Sequence, residues 1–230
     1  MKKIMFDDHY GLEKAVLEGR KTMTRRIVPE RLQSTFDACS KGVLIIPVSV
    51  IPEDVSIEEF AEQWRTHQGQ ARVVPVKDEP DIQYVDAPSM VMDYSKFQKG
   101  EVVAIAQAYK DLRFVVPHGA DPQEYNRRFT RCCDSAGWKN KMFVAADLMP
   151  HRIMITDIRV ERLQDISDED CLKEGIYKGQ FGTYTFKGRP LDIFFDNPRD
   201  AFACLINKIS GKDTWKKNPW VFAYTFELVK

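Results

Sequence analysis

The sequence predicts an α+β fold, a small mixed β-barrel with helices at its edges and two insertions. Three observations predict it. Only four segments combine helical periodicity with capping residues, several longer segments are rich in β-branched and aromatic residues, and the balance of 43% hydrophobic to 30% charged residues is that of an ordinary globular chain. At 230 residues, the expectation is one domain spanning 1–230, with insertions at about 37–98 and 176–197.

Taken in chain order, the first helix is expected over residues 8–18, where Leu12, Ala15 and Val16 recur at helical spacing and Gly19 can stop it. Residues 43–50 carry a short strand signal. A second helix is expected from Ser56, with Glu59 completing a capping box and Ile57, Phe60 and Trp64 on one side. The stretch 66–98 is rich in Pro, Asp, Gln and Ser and has the look of a surface insertion. A strand follows the turn-like Lys99-Gly100 and covers Glu101 to Tyr109, and 113–116 gives a shorter signal. His151 to Leu163 predicts a long strand with a bulge near Asp157. The third helix begins at Ser167, with Asp168, Glu169 and Asp170 in its first turn, and ends near Gly175. Gly179, Gly182, Gly188 and Pro190 mark the second insertion. Asn197-Pro198 then opens a fourth helix that runs to Gly211. In the last strand, Trp220, Phe222, Tyr224, Phe226 and Leu228 are expected to share one face.

Composition excludes several function classes. Lys+Arg and Asp+Glu both number 34, so bulk charge does not attract nucleic acid and any basic surface must be local. The longest apolar run, Val43 to Ile51, is broken by Pro47 and Ser49 and is too short for a bilayer, so no membrane partner is expected. Asp7 and Asp8 follow the Met-Lys-Lys start too closely for a signal peptide. The five cysteines (39, 132, 133, 171 and 204) are an odd number without a Cys-x-x-Cys pair, which suits reduced thiols and a cytoplasmic address. His9, His67, His118 and His151 are too scattered for a metal cluster, so neither metal nor cofactor is expected.

Charge is nevertheless concentrated. From Arg20 to Arg31 five basic residues face one acid, from Asp157 to Glu174 seven acids face three bases, and Lys208 to Lys217 holds four lysines around Trp215. Basic residues interleaved with an aromatic suit an unstacked nucleotide, through phosphate attraction and stacking. The competing reading is a solvated face, or basic and acidic segments neutralising each other across the fold.

The segment Gly19-Arg20-Lys21-Thr22-Met23-Thr24-Arg25-Arg26 carries the candidate chemistry. A hydroxyl becomes nucleophilic when a base takes its proton, and a lysine whose pKa is depressed by neighbouring cations can serve. Arg20, Arg25 and Arg26 can supply that depression, or bind phosphate or a carbonyl oxygen.

GRKTMTRR at 19–26, HRIMITDIRVERLQDISDEDCLKEGI at 151–176 and NPWVFAYTFEL at 218–228 together resemble the ASCH-domain family of the PUA-like superfamily, in particular its longer phage and bacterial members. The resemblance implies a barrel associated with RNA and a cleft between barrel and flanking helices. It also implies a trio proposed, in a small bacterial ASCH enzyme, to hydrolyse the acetamide of N-acetylated cytidine. Lys21 and Thr24 match two of that trio and Glu174 the third. The implied roles are Thr24 as nucleophile, Lys21 as its base or oxyanion partner, and Glu174 as proton donor to the leaving amine. Glu174 fits physically, since the end of a short helix disfavours negative charge. The chain departs from that enzyme in its insertions and in Arg25-Arg26 after Thr24, which predict a more cationic pocket. The bland alternative is that Thr24 caps a turn and Lys21 pairs with Glu174 without catalysis.

Two aromatic groups stay open. Trp138, Phe143, Met149 and Pro150 suit either a stacking surface or core packing, and Tyr177, Phe181, Tyr184 and Phe186 either clamp a base or pack. Three functions follow: a cationic cleft that binds RNA or a (modified) nucleoside, with Arg20, Arg25, Arg26 and Tyr177 as ligand contacts; an amidohydrolase on an acylated nucleoside; or a phage-derived module whose insertions bind a host protein. Oligomeric state is not legible.

Overall fold

The two segments with the longest β patterns pair with each other and form the centre of the molecule. The computed structural model describes residues 1–40, 43–47, 56, 72–76, 94–112, 116, 119–187 and 194–229. Its elements are β1 (Lys3–Ile4), α1 (Leu12–Leu17), β2 (Met23–Ile27), α2 (Glu30–Ser40), β3 (Val43–Pro47), β4 (Arg72–Val76) and β5 (Val102–Ile105). They continue with α3 (Pro122–Thr130), β6 (Arg152–Arg162), α4 (Asp168–Lys173), β7 (Tyr177–Lys178), β8 (Tyr184–Thr185), α5 (Pro198–Ser210), α6 (Thr214–Lys217) and β9 (Trp220–Val229).

The main sheet has five strands in the order β1-β5-β6-β9-β2. Only β1 and β5 run parallel, so the sheet is mixed. The α+β class is as expected, but among the described residues the barrel does not close: β1 and β2 remain the two edges. Beside the gap, the Arg26 guanidinium of β2 donates to the carbonyl of Met5, just past the end of β1.

The register of β6 on β9 slips between Ile155 and Asp157, where the bulge was expected. One extra residue reverses the side-chain parity. Ile153 and Ile155 face the core before it, and the partly buried Ile158 and Val160 continue that face after it. Arg159 and Glu161 are thereby sent to the opposite face. Along β9, however, Val221 and Ala223 are as deeply buried as Phe222 and Tyr224, because the second face is covered too.

Capping residues set the helix starts as the sequence indicates. Ser167 accepts from the Asp170 amide and Asn197 from the Asp200 amide. Gly19 ends α1 at φ 72°, and its amide bonds to the Val16 carbonyl. The sequence reading holds no counterpart of β1, β2, α2, β4, α3, β7, β8 or α6, of which β2, α2 and α3 are the longest in the site and core. The helix expected from Ser56 and the strand at 113–116 lie, apart from Ser56 and Val116, outside the described residues.

The core has two parts. The larger joins α1, α5 and the main sheet; the smaller gathers Tyr109, Tyr125, Phe129, Leu148 and Met149. Trp138 packs against the smaller one, ring to ring with Phe129. Phe143, weighed with it, is instead 60% exposed. Phe186 is buried and Tyr184 packs on the core, whereas Tyr177 is exposed and Phe181 is 99% exposed at the tip of the β7–β8 hairpin. Trp215 packs edge-on against Phe202, so it is no open stacking face. No helix among the described residues is long and apolar enough to cross a membrane.

Candidate functional site

Lys21, Thr24, Arg25 and Arg26 reach the site because the chain turns at Gly19 and enters β2 along the free edge of the sheet. The Thr22 amide bonds to the Lys173 carbonyl at the end of α4, and the Thr22 carbonyl accepts from Phe226 of β9. The start of β2 is thus clamped between a helix end and the sheet. Gly175 completes the clamp. It turns the chain at φ 105°, and a Cβ there would lie 3.0 Å from Leu12 and 3.6 Å from the Lys21 side chain.

Glu174 and Lys21 meet beneath this turn. The Lys21 ammonium donates to the Glu174 carboxylate at 2.6 Å, the Glu174 carbonyl at 2.8 Å and the Met23 carbonyl at 2.7 Å. Three acceptors use all three N–H bonds, which only the charged form possesses. Burial pushes the amine's pKa down and the Glu174 charge opposes it, with Arg26 and Arg25 adding a smaller downward push. Desolvation, rather than the neighbouring cations, is therefore the main cause of the depression. Lys21 is 2% exposed.

Strand alternation separates the two adjacent arginines. Arg25 lies opposite Ala223, which lies opposite Arg159, so all three share the face under α4. There Asp170 and Glu174, four residues apart on one side of the helix, meet Arg25 at 3.1 Å each, and Glu161 meets it at 2.6 Å. Burial works against this charge, but the Glu174, Glu161 and Asp170 carboxylates outweigh it and raise the guanidinium's pKa. Arg159 and Lys173 also bond Asp170. Arg25 is thus held by three carboxylates, with a further contact to the Met23 sulfur at 3.3 Å.

Arg26 and Thr24 point the other way, with Phe222 and Tyr224 as their cross-strand neighbours. Burial lowers the Arg26 pKa, against the opposing charge of Glu174. Its hydrogen bond to Met5 leaves most of its N–H donors uncommitted, and no carboxylate lies within ion-pair distance among the described residues. The Thr24 hydroxyl likewise has no hydrogen-bond partner among them.

These side chains line one cavity of about 250 Å³. Its polar side is Lys21, Thr24, Arg25, Arg26 and Glu174, and its apolar wall is Leu12 with Phe202, Leu205, Ile206 and Ile209 of α5. Met5, Phe6 and Asp7 border it at the end of β1. The trio of Lys21, Thr24 and Glu174 is brought together, and Arg25 and Arg26 join it. Arg20 and Tyr177 do not. Arg20 pairs with Glu18 outside, just past the α1 stop, and Tyr177 is carried off on the hairpin. The pocket is also less cationic than expected, because Glu161, Asp170 and Glu174 balance the inner cations. None of the described residues in 176–197 lines it.

Sequence reasoning missed the apolar wall supplied by α5, whose inward residues are indistinguishable from ordinary core positions. It also missed Glu161 and Asp170 as partners of Arg25, although the acid-rich count from 157 to 174 pointed to their segment. Among the described residues, no group of His, Cys, Asp and Glu is placed to hold a metal ion. No protein family, curated protein or solved structure matches this chain.

Proposed function

We propose that this cavity is the ligand pocket of an ASCH-type, PUA-like protein acting in the cytoplasm, and that it takes a nucleobase-bearing ligand: a nucleoside, or an unstacked base of single-stranded RNA. The observation that carries the reading is the pair of uncommitted polar groups, the Arg26 guanidinium and the Thr24 hydroxyl, facing a cavity large enough for one such group. An apolar wall together with a polar lining suits a ring with hydrogen-bonding edges. The buried Lys21–Glu174 pair supports the same reading. An ion pair removed from water adds little net stability, and its place beside a cavity favours a role toward a ligand.

Hydrolysis of an acylated exocyclic amine is the second reading, favoured by the unpartnered Thr24 hydroxyl beside that ion pair. Thr24 Oγ1 attacks the acyl carbon while the Glu174 carboxylate takes the hydroxyl proton. The C–N bond then breaks, that proton passes to the leaving amine, and water releases the acyl group from Thr24. Lys21 orients Glu174 and acts on the oxyanion through its charge alone, since its three N–H bonds are already given to other acceptors and leave it no lone pair to serve as base.

The test is calorimetric titration with cytidine, N-acetylated cytidine and a short single-stranded RNA, with product analysis alongside. Arg26→Ala is expected to weaken binding about tenfold or more, the contribution of one charge-assisted contact. Thr24→Ala, which removes the weaker neutral contact, is expected to weaken binding less than Arg26→Ala does and to abolish any turnover. Absence of binding by all three ligands, or binding indifferent to Arg26→Ala, would refute the proposal.

A further inference from the structure

The cavity beside Arg26 adjoins a second one. It measures about 340 Å³ and occupies the seam between the edge strands β1 and β2, where the barrel fails to close. Arg26, Met5 and Ile27 line both cavities, so they are contiguous. The second has a different chemical character. Its charged lining is Lys3, Lys96 and Arg26, with no Asp or Glu among the described residues, in a chain whose formal charges cancel.

The three cations are also unneutralised. The Lys3 ammonium is held by the Met142 and Val144 carbonyls at 2.7 and 2.6 Å, and the Lys96 ammonium stands 5.5 Å from the centre of the Phe97 ring. None of the three has a carboxylate within ion-pair distance among the described residues. Burial, and then the charge of Lys96, lower the Lys3 pKa, a sign that the two repel each other across this space. An anion would relieve that repulsion. Tyr94, Phe97 and Tyr224 add apolar surface around the cations, which lowers the local polarity and strengthens their pull on an anion.

We propose that the second cavity is a phosphate subsite for the ligand of the first, so that the protein's ligand is a nucleoside carrying a phosphate ester, with Arg26 as the cation shared at the junction. The proposal rests on the nucleoside reading of the first cavity. Arg26 is suited to the junction, since a guanidinium with free N–H groups can bond two phosphate oxygens at once. The polar floor then meets the base while Lys3 and Lys96 meet the phosphate.

The test compares the wild type with Lys96→Ala, a substitution at an exposed position. Calorimetry is run with cytidine, its 5′- and 3′-monophosphates, a cytidine dinucleotide and phenyl phosphate. In the wild type at low salt the better monophosphate is expected to bind about tenfold or more tightly than the nucleoside, as one charge-assisted contact provides. In Lys96→Ala most of that gain disappears while nucleoside affinity is unchanged. A dinucleotide tighter than either monophosphate identifies a strand as the source of the phosphate; a dinucleotide no tighter identifies a free nucleotide. Equal affinity for nucleoside and both monophosphates, or a phosphate gain untouched by Lys96→Ala, overturns the subsite. Phenyl phosphate separates the two readings. If it binds with Lys96-dependent affinity while no nucleoside or nucleotide binds, the first cavity's assignment falls and the anion subsite stands. If it binds without regard to Lys96, or not at all, and the nucleotides show no phosphate gain, the subsite falls.

Discussion

Arg25→Met strips the buried acids beneath the cavity of their central cation, and the size of the effect follows from their surroundings. Glu161, Asp170 and Glu174 all lie within 3.1 Å of the guanidinium, whose side chain is 1% exposed. Breaking such a pair by removing one partner costs about 3–5 kcal/mol, because the charge left behind remains desolvated. Here part of the loss is recovered, since Lys21 still holds Glu174, and Arg159 and Lys173 still hold Asp170. Among the described residues Glu161 keeps only Arg159, at 3.9 Å. The lower end, roughly 3 kcal/mol, is therefore expected, or a fall in Tm of roughly 6–12 °C for a chain of this length. Urea and thermal unfolding at neutral pH measure it. The penalty has a pH signature as well. Burial raises the Asp170 pKa, but Arg159, Lys173 and Arg25 outweigh it and hold it below its ordinary value. A carboxyl with a depressed folded pKa stabilises above its unfolded value and loses that contribution as pH falls through the folded one. The variant and the wild type should therefore converge in acid. A Tm within about 2 °C of wild type at neutral pH would refute the account of Arg25 as structural.

Two further outcomes follow from other buried groups. Burial, and then the neighbouring Asp8, push the Glu13 carboxyl up to about 7. The folded state then binds more protons than the unfolded one between about 4.5 and 7, so stability declines as pH rises through that window. Urea midpoints at pH 5 and 8 should show this decline in the wild type and much less of it in Glu13→Gln; equal declines would contradict it. Burial pushes the Cys171 thiol up to about 12, whereas Cys133 is exposed. A thiol-disulfide reagent at pH 8 should modify Cys133 in the native protein and reach Cys171 only on unfolding, since the thiolate is the reactive form. Rapid native labelling of Cys171 would count against its burial.

The sequence alone determined the elements whose signals are local. Ser167 and Asn197 start their helices, Gly19 stops one, and the β6 bulge falls where the hydrophobic parity changes. It also brought Lys21, Thr24 and Glu174 into one hypothesis, through motif resemblance rather than through any spacing that puts distant segments in contact. Met23–Ile27 was illegible as a strand because it lacks the apolar alternation that marks one. One of its faces lines a cavity and the other meets buried acids, so polar residues occupy both. That unrecognised strand decides the site. Read as a loop, Arg25 and Arg26 are equivalent cations; paired to β9, they fall on opposite faces, one neutralised under α4 and the other turned to the cavity with no carboxylate at ion-pair distance among the described residues. Which charge is available is thus a property of pairing register and of what covers each face, and both arise only when residues far apart in the chain are brought together.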